Sequence, residues 1–255
     1  MKIAVVTQAR ISSTRLPEKV LRPVGGTSLL GLHLTRAGKA KRPTHFVVAV
    51  ADEPGWEKIA AVATSCNWQY SKGDVNNVLS RFYFAVENIQ PDYIVRITSD
   101  CPLIDPDLMD SVISFCIDGN LDYAANGLVE TFPDGEDIEV FKFSALREAY
   151  EKAKLLSELE HVTPYIKKHS SFLNGVPFRS DNYYSGGDYK AVRITVDTPQ
   201  DLQVVENLVK KLGSKAGWKE YTDLYLADSA IHGLNNKIIR NEGYLKSLLK
   251  DQKNE

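Results

Sequence analysis

Cysteine is scarce: Cys66, Cys101 and Cys116 are the only three among 255 residues. An odd, scattered set with no metal spacing does not make a disulfide framework. It fits a reduced, cytoplasmic protein. Long apolar runs are missing too. No stretch approaches the 18 residues that a membrane span needs. The opening run Met1–Val6 turns polar at Thr7, too soon for a signal-peptide core. Neither sign of charge is in excess: 31 Lys and Arg face 33 Asp and Glu, a net charge of −2. That balance excludes a general nucleic-acid coat and a polybasic membrane binder. It leaves room for a local basic pocket around one phosphorylated ligand. There is no internal repeat, no low-complexity linker and no Gly-x-x-x-x-Gly-Lys pattern, so a P-loop is ruled out.

What is present is an ordinary globular content of 43% hydrophobic residues. The length suits one large α/β domain spanning 1–255. Lys2 to Val6 reads as a buried strand, followed by a long loop from Gln8 to Lys19. Ser28 can cap a helix running to about Ala40. Phe46 to Ala51 and Tyr93 to Ile97 read as strands. Gly55 to Ser65, Val75 to Asn88 and Asp107 to Ile117 read as helices. Alternation of this kind predicts a mostly parallel central sheet flanked by helices. In the second half, Asp137 to Phe143 and Val192 to Val196 read as strands. Ser144 to Lys154, Ser157 to Lys168, Thr198 to Leu212 and Lys237 to Lys250 read as helices. The stretch at about 127–185 breaks the alternation yet carries apolar residues, and is expected to form an inserted arm.

Ligands of parallel α/β sheets bind beyond the carboxyl ends of strands. The first such place holds Gln8-Ala9-Arg10-Ile11-Ser12-Ser13-Thr14-Arg15-Leu16-Pro17-Glu18-Lys19, with three cations and a single acid. Arginine pairs with phosphate oxygens through two parallel bonds, lysine adds a point charge, and loop amides can form an anion nest. A solvated basic surface loop is the plain alternative.

The stretch Gln8-Ala9-Arg10-x-x-Ser13-Thr14-Arg15-Leu16-Pro17-x-Lys19-Val20-Leu21 resembles the signature loop of the cytidylyltransferases that activate acidic sugars. These are the CMP-sialic acid and CMP-Kdo synthetases, and the branch matched is that of spore coat polysaccharide biosynthesis protein F. The likeness continues through Asp74-x-x-x-Val78-Leu79-x-Arg81 and Val95-Arg96-Ile97-Thr98-x-Asp100-Cys101-Pro102-Leu103-Ile104-Asp105. It resumes at Phe132-Pro133-Asp134-Gly135, Glu139-Val140-Phe141, Glu160-His161-Val162-Thr163-Pro164-Tyr165-Ile166, Arg193-Ile194-Thr195-Val196-Asp197-Thr198-Pro199 and Arg240-Asn241-Glu242-Gly243-Tyr244. Ser12 stands where the family usually has Gly, and Thr27 replaces a common Lys.

The resemblance implies a GT-A-like nucleotidyltransferase fold and transfer of CMP from CTP to a sugar acid, with pyrophosphate released. It implies that Arg10, Arg15 and Lys19 hold the triphosphate, with Ser13 and nearby amides completing the cradle. Gln8, Ala9, Asp74, Arg81 and Arg96 fall to the nucleotide. It places Mg²⁺ on Asp100 and Asp197, in keeping with the ion's preference for oxygen ligands. Each aspartate also has a plain reading as a loop or cap residue. Asp134, Asp137, Glu139 and His161 are the sugar-side candidates, and Lys190 or Arg193 is placed to meet the sugar carboxylate. Asp105-Pro106-Asp107 looks like a metal motif but reads better as a helix start. Cys101 reads as a small buried hydrophobe. A homodimer through the arm is expected. A GT-A glycosyltransferase and a non-catalytic nucleotide-binding protein stay open as other readings.

Overall fold

The computed structural model describes residues 1–252. In chain order the elements are β1 (Ile3–Ala9), β2 (Pro23–Val24), β3 (Thr27–Ser28), α1 (Leu29–Ala37), β4 (His45–Ala51), α2 (Trp56–Ser65), β5 (Gln69–Gly73), α3 (Val78–Val86), β6 (Tyr93–Thr98) and α4 (Pro106–Asp118). Then come β7 (Tyr123–Ala125), β8 (Glu139–Lys142), α5 (Phe143–Lys152), α6 (Leu156–His161), α7 (Pro164–Lys168), β9 (Ser180–Asn182), α8 (Pro199–Leu212), α9 (Trp218–Ala227), α10 (Ser229–Asn235) and α11 (Glu242–Asp251).

One seven-stranded sheet has the order β5-β4-β1-β6-β8-β7-β9. Strands β5, β4, β1 and β6 are parallel; β8 then runs antiparallel to β6 and to β7, and β9 pairs parallel with β7. Every residue of β1 except Gln8 is buried, as a central strand covered on both faces requires. Its side chains alternate between two cores. Ile3 and Val5 meet α1, α2 and α4 through Leu34, Ile59 and Val112. Ala4 and Val6 meet α3, α5 and α7 through Phe82, Leu146 and Ile166. A third core joins Leu29 and Leu32 to α8, α9 and α10. Among the described residues no helix is long and apolar enough to cross a membrane.

Several expectations are corrected. Val192 to Val196 forms no ladder with the sheet. Val192, Ile194 and Val196 are buried, but the backbone bonds go to loops: Ile194 and Thr195 amides donate to the Asp134 carbonyl, and Val196 donates to that of Asp100. An apolar run specifies burial, not the partner of its amides. The helix expected over Ser157 to Lys168 divides at Val162, whose φ is 72°, and Pro164 opens α7. Strand β5 escaped notice because it is a polar edge with no buried residue. Residues 127–185 contribute β8 and β9 to the common sheet and α5 to α7 to one of its faces.

Candidate active site

The loop after β1 is held from below by β4. Glu53, just past β4, accepts from the amides of Ile11 at 2.5 Å and Ser12 at 3.0 Å. Leu16 is buried and pins the loop's far side. Lys19 then begins a short 3-10 turn that directs its side chain back over the sheet.

There Lys19 meets two carboxylates. Its Nζ donates to Asp100 Oδ2 at 3.0 Å and to Asp197 Oδ1 at 2.9 Å. Arg15 also reaches Asp197 Oδ1, at 3.1 Å, and Glu242 Oε2 at 3.0 Å. Arg193 contacts Asp197 Oδ2 at 3.1 Å, Asp134 Oδ2 at 2.5 Å and both oxygens of Asp201. Arg240 continues the chain of contacts to Asp137 at 2.7 Å and to the Phe132 carbonyl at 3.2 Å. Five aspartates thus interleave with four cations, with Glu130 and Glu242 at the rim.

Burial alone raises the pKa of Asp100, but Lys19 and a Thr98 hydrogen bond reverse it and bring the carboxyl to about 2. Burial lowers the Lys19 ammonium, and its two aspartates more than restore it. Asp134 goes the other way. Burial and the neighbouring Asp137 push it up to about 7, against the pull of Arg240 and Arg193.

Arg96, Glu139 and His161 form a separate cluster. The β6–β8 register sets Arg96 opposite Glu139, and they make a close ion pair. Glu139 also accepts from Tyr123 Oη at 2.6 Å, Thr163 Oγ1 at 2.7 Å and Lys167 Nζ at 2.9 Å. His161 Nε2 lies 3.0 Å from Ser247 Oγ, and its ring meets Tyr244 edge-on, joining α6 to α11. Burial, then the nearby Arg96, lowers its pKa to about 4.

The remaining nucleotide candidates lie along the carboxyl ends of the strands. Arg81 is buried and donates to the Asp74 carbonyl at 2.7 Å, while the Asp74 carboxylate holds the amides of Asn76 and Asn77. Gln8 Oε1 and the Nε atoms of Arg81 and Arg96 are buried without a partner among the described residues. Such groups are open to a water, an ion or a ligand. Ala9 is buried, Arg10 exposed and Ser13 half-buried.

Two expected sugar contacts are otherwise engaged. Lys190 pairs with Asp188 on the surface, and Arg193 spends its guanidinium on three aspartates. Asp105 caps α4: Oδ1 accepts from the amides of Asp107 and Leu108, and Oδ2 from Trp218. Cys101 is buried.

Sequence reasoning missed Asp201, Arg240, Glu53 and His33, and mistook Arg193. A guanidinium inside the apolar run Val192–Val196 was a signal, because such a group needs buried carboxylates. Thr198-x-x-Asp201 was a second signal, the spacing of a capping box. His33 carried none. It is wholly buried under the Asp100 loop, bonded to the Cys101 carbonyl and Thr7 Oγ1, and burial lowers its pKa to about 4.

A family model described as cytidylyltransferase matches residues 4–231. The spore coat polysaccharide biosynthesis protein SpsF of Bacillus subtilis is 30% identical over 223 residues, covering 84% of this chain and 88% of that protein. A cytidylyltransferase structure from Leptospira borgpetersenii superposes with a TM-score of 0.85 at 28% identity, covering 94% of this chain and 99% of the other. The structure of CMP:2-keto-3-deoxy-manno-octonic acid synthetase complexed with CTP shares the fold, with a TM-score of 0.61 at 16% identity over 83% of this chain and 99% of the other. With its sheet, its cationic first loop and these matches along most of its length, the chain belongs to the cytidylyltransferase family and is a nucleotidyltransferase of GT-A-like fold.

Proposed function

We propose that the chain transfers CMP from CTP to an acidic sugar and releases pyrophosphate, in the making of a surface polysaccharide. The observation that carries this is the convergence of Lys19, Arg15, Asp100 and Asp197 at the end of the first loop. A sugar hydroxyl attacks the α-phosphorus in line, and the protein acts chiefly by positioning groups and balancing charge. Lys19, Arg10 and Arg15 bind the β- and γ-phosphates and stabilise the leaving pyrophosphate. Gln8, Ala9, Ser13, Asp74, Arg81 and Arg96 surround the nucleotide. Asp134 and Asp137 face the sugar side, fixed by Arg193 and Arg240; Glu139 and His161, expected there as well, are engaged in the separate cluster with Arg96, Lys167 and Ser247.

The donor set suits Mg²⁺. Two carboxylates converge on one cation position, and carboxylates outnumber cations in the network. Asp100 and Asp197 would hold the ion, which when bound polarises a phosphate oxygen and lowers the pKa of a coordinated hydroxyl. The glycosyltransferase reading draws no support from Asp105-x-Asp107, since both Asp105 oxygens are spent on amides.

The proposal includes a cytoplasmic location, in keeping with three free cysteines, and a homodimer. The apolar residues of 127–185 that prompted the dimer reading, Phe132, Val140, Phe141 and Leu146, are buried in the chain's own core, so the dimer rests on the family resemblance. Light scattering should give twice 28.5 kDa; a value of 28.5 kDa at micromolar concentration contradicts the dimer.

The test of the function is pyrophosphate release with four nucleoside triphosphates crossed against a panel of sugar acids. Release with CTP and a sugar acid is expected. Nucleotide binding without turnover across the panel would favour a non-catalytic role.

A further inference from the structure

Lys19 occupies the position between Asp100 and Asp197. Lys19 Nζ sits within 3.0 Å of an oxygen of each. A divalent ion binding the same two oxygens would lie against that ammonium, and like charges at such a separation repel strongly in a low-dielectric setting. One of them must leave.

The three cations touching this pair differ in how they are held. Arg193 is fixed by Asp134 and by both oxygens of Asp201, itself fully buried. Arg15 is 39% exposed and touches only Asp197, from the loop side, while its other nitrogen pairs with Glu242. Lys19 alone bridges both aspartates. It stands on a flexible four-carbon stem, at the start of a three-residue turn that follows Glu18 with φ 51°. Its ammonium can swing to a phosphate without breaking a helix or a strand.

We propose that Lys19 is the resident counter-ion of the metal position, so that a divalent ion enters only when a triphosphate draws the ammonium away. The inference rests on reading Asp100 and Asp197 as the metal ligands. Nucleotide and metal then bind with positive coupling, and the energetic link between them is one side chain. Removing Lys19 breaks the coupling in an unusual direction: a residue that serves catalysis is the one that keeps the metal out of the free protein.

The experiment measures Mn²⁺ binding by water-proton relaxation, which separates protein-bound Mn²⁺ from Mn²⁺ held by free CTP. Wild type should bind Mn²⁺ weakly alone and at least about tenfold more tightly with CTP. Lys19→Met, without nucleotide, should bind Mn²⁺ at least about tenfold more tightly than wild type. Arg15→Met removes the same charge from one side of the pair and should change affinity less than about threefold. Lys19→Arg should exclude the metal as wild type does. Lys19→Ala provides a second neutral variant, and thermal melts check that each protein is folded. If CTP does not tighten Mn²⁺ binding in wild type, the reading of the pair as the metal position falls, and this inference with it. If CTP does so but both neutral variants match wild type without nucleotide, or Arg15→Met equals Lys19→Met, the role of Lys19 alone is overturned.

Discussion

Arg96 and Asp100 are four residues apart, yet they belong to ion networks of opposite design. In the first network, Lys19 bridges Asp100 and Asp197 at the ends of loops, with both carboxylates partly open to solvent. In the second, one buried carboxylate, Glu139, is gripped by Arg96, Lys167, Tyr123 and Thr163 between two paired strands. The first has carboxylates in excess and, in Lys19, a bridging cation on a flexible stem, and is suited to changing partners. The second holds a single acid with every donor converging on it, and is built to stay. Closeness in sequence to Asp100 therefore does not put Arg96 in the same network; what separates the two is whether the partners can be exchanged.

Breaking the second network should cost the most stability. Glu139→Gln leaves Arg96 and Lys167 without their shared counter-charge and should destabilise the protein by about 3–5 kcal/mol, as read by urea unfolding. Breaking the first should cost activity instead. Asp100→Asn or Asp197→Asn should lower turnover roughly 10²–10³-fold, with urea midpoints close to wild type. Wild-type stability in Glu139→Gln, or wild-type turnover in both aspartate variants, would erase the contrast.

Acid reaches the first network directly at Asp134, whose raised pKa of about 7 makes protonation favour the folded chain, and from beneath at His33, where it does the reverse. The folded-state pKa of His33 is about 4, against 6.5 for an ordinary histidine, so the unfolded chain binds the proton more readily. Stability from this group is full above pH 6.5 and declines as pH falls toward 4, by on the order of 3 kcal/mol. His33→Gln should flatten that part of the stability–pH curve; an unchanged slope would show that other groups set it. The smallest effect is expected at Asp107, exposed at the start of α4. Asp107→Ala should cost about 0.3–1 kcal/mol by weakening the interaction with the helix dipole. Turnover should stay at the wild-type value, and a large loss would draw Asp107 into the site.

The parallel half of the sheet was legible because β1, β4 and β6 are apolar runs whose burial is encoded residue by residue. The cationic loop was legible because three cations and one acid follow the first strand, although it starts at Arg10: Gln8 and Ala9, expected in the loop, are the last residues of β1. Ser28, Asp105 and Thr198 announced their helices, and each accepts from amides of its first turn. What stayed hidden depends on distant partners. Strand β5 is polar because it is an edge, and β7 is only three residues long. The buried pairing of Arg193 with Asp134 spans 59 positions, and the half-buried one of Arg240 with Asp137 spans 103. No local period can encode such a meeting. His33 lies on the apolar face of α1, and only the fold shows that it supports the Asp100 loop.

The exchangeable network, and not the Asp105 cap, is proposed as the place where the nucleotide's metal and phosphates meet. Anomalous scattering from Mn²⁺ in crystals grown with CTP tests it most directly. One peak is expected between Asp100 and Asp197, with Lys19 moved onto the phosphates. A peak at Asp105 and Asp107, or Lys19 still bridging the two aspartates beside a bound triphosphate, would contradict it.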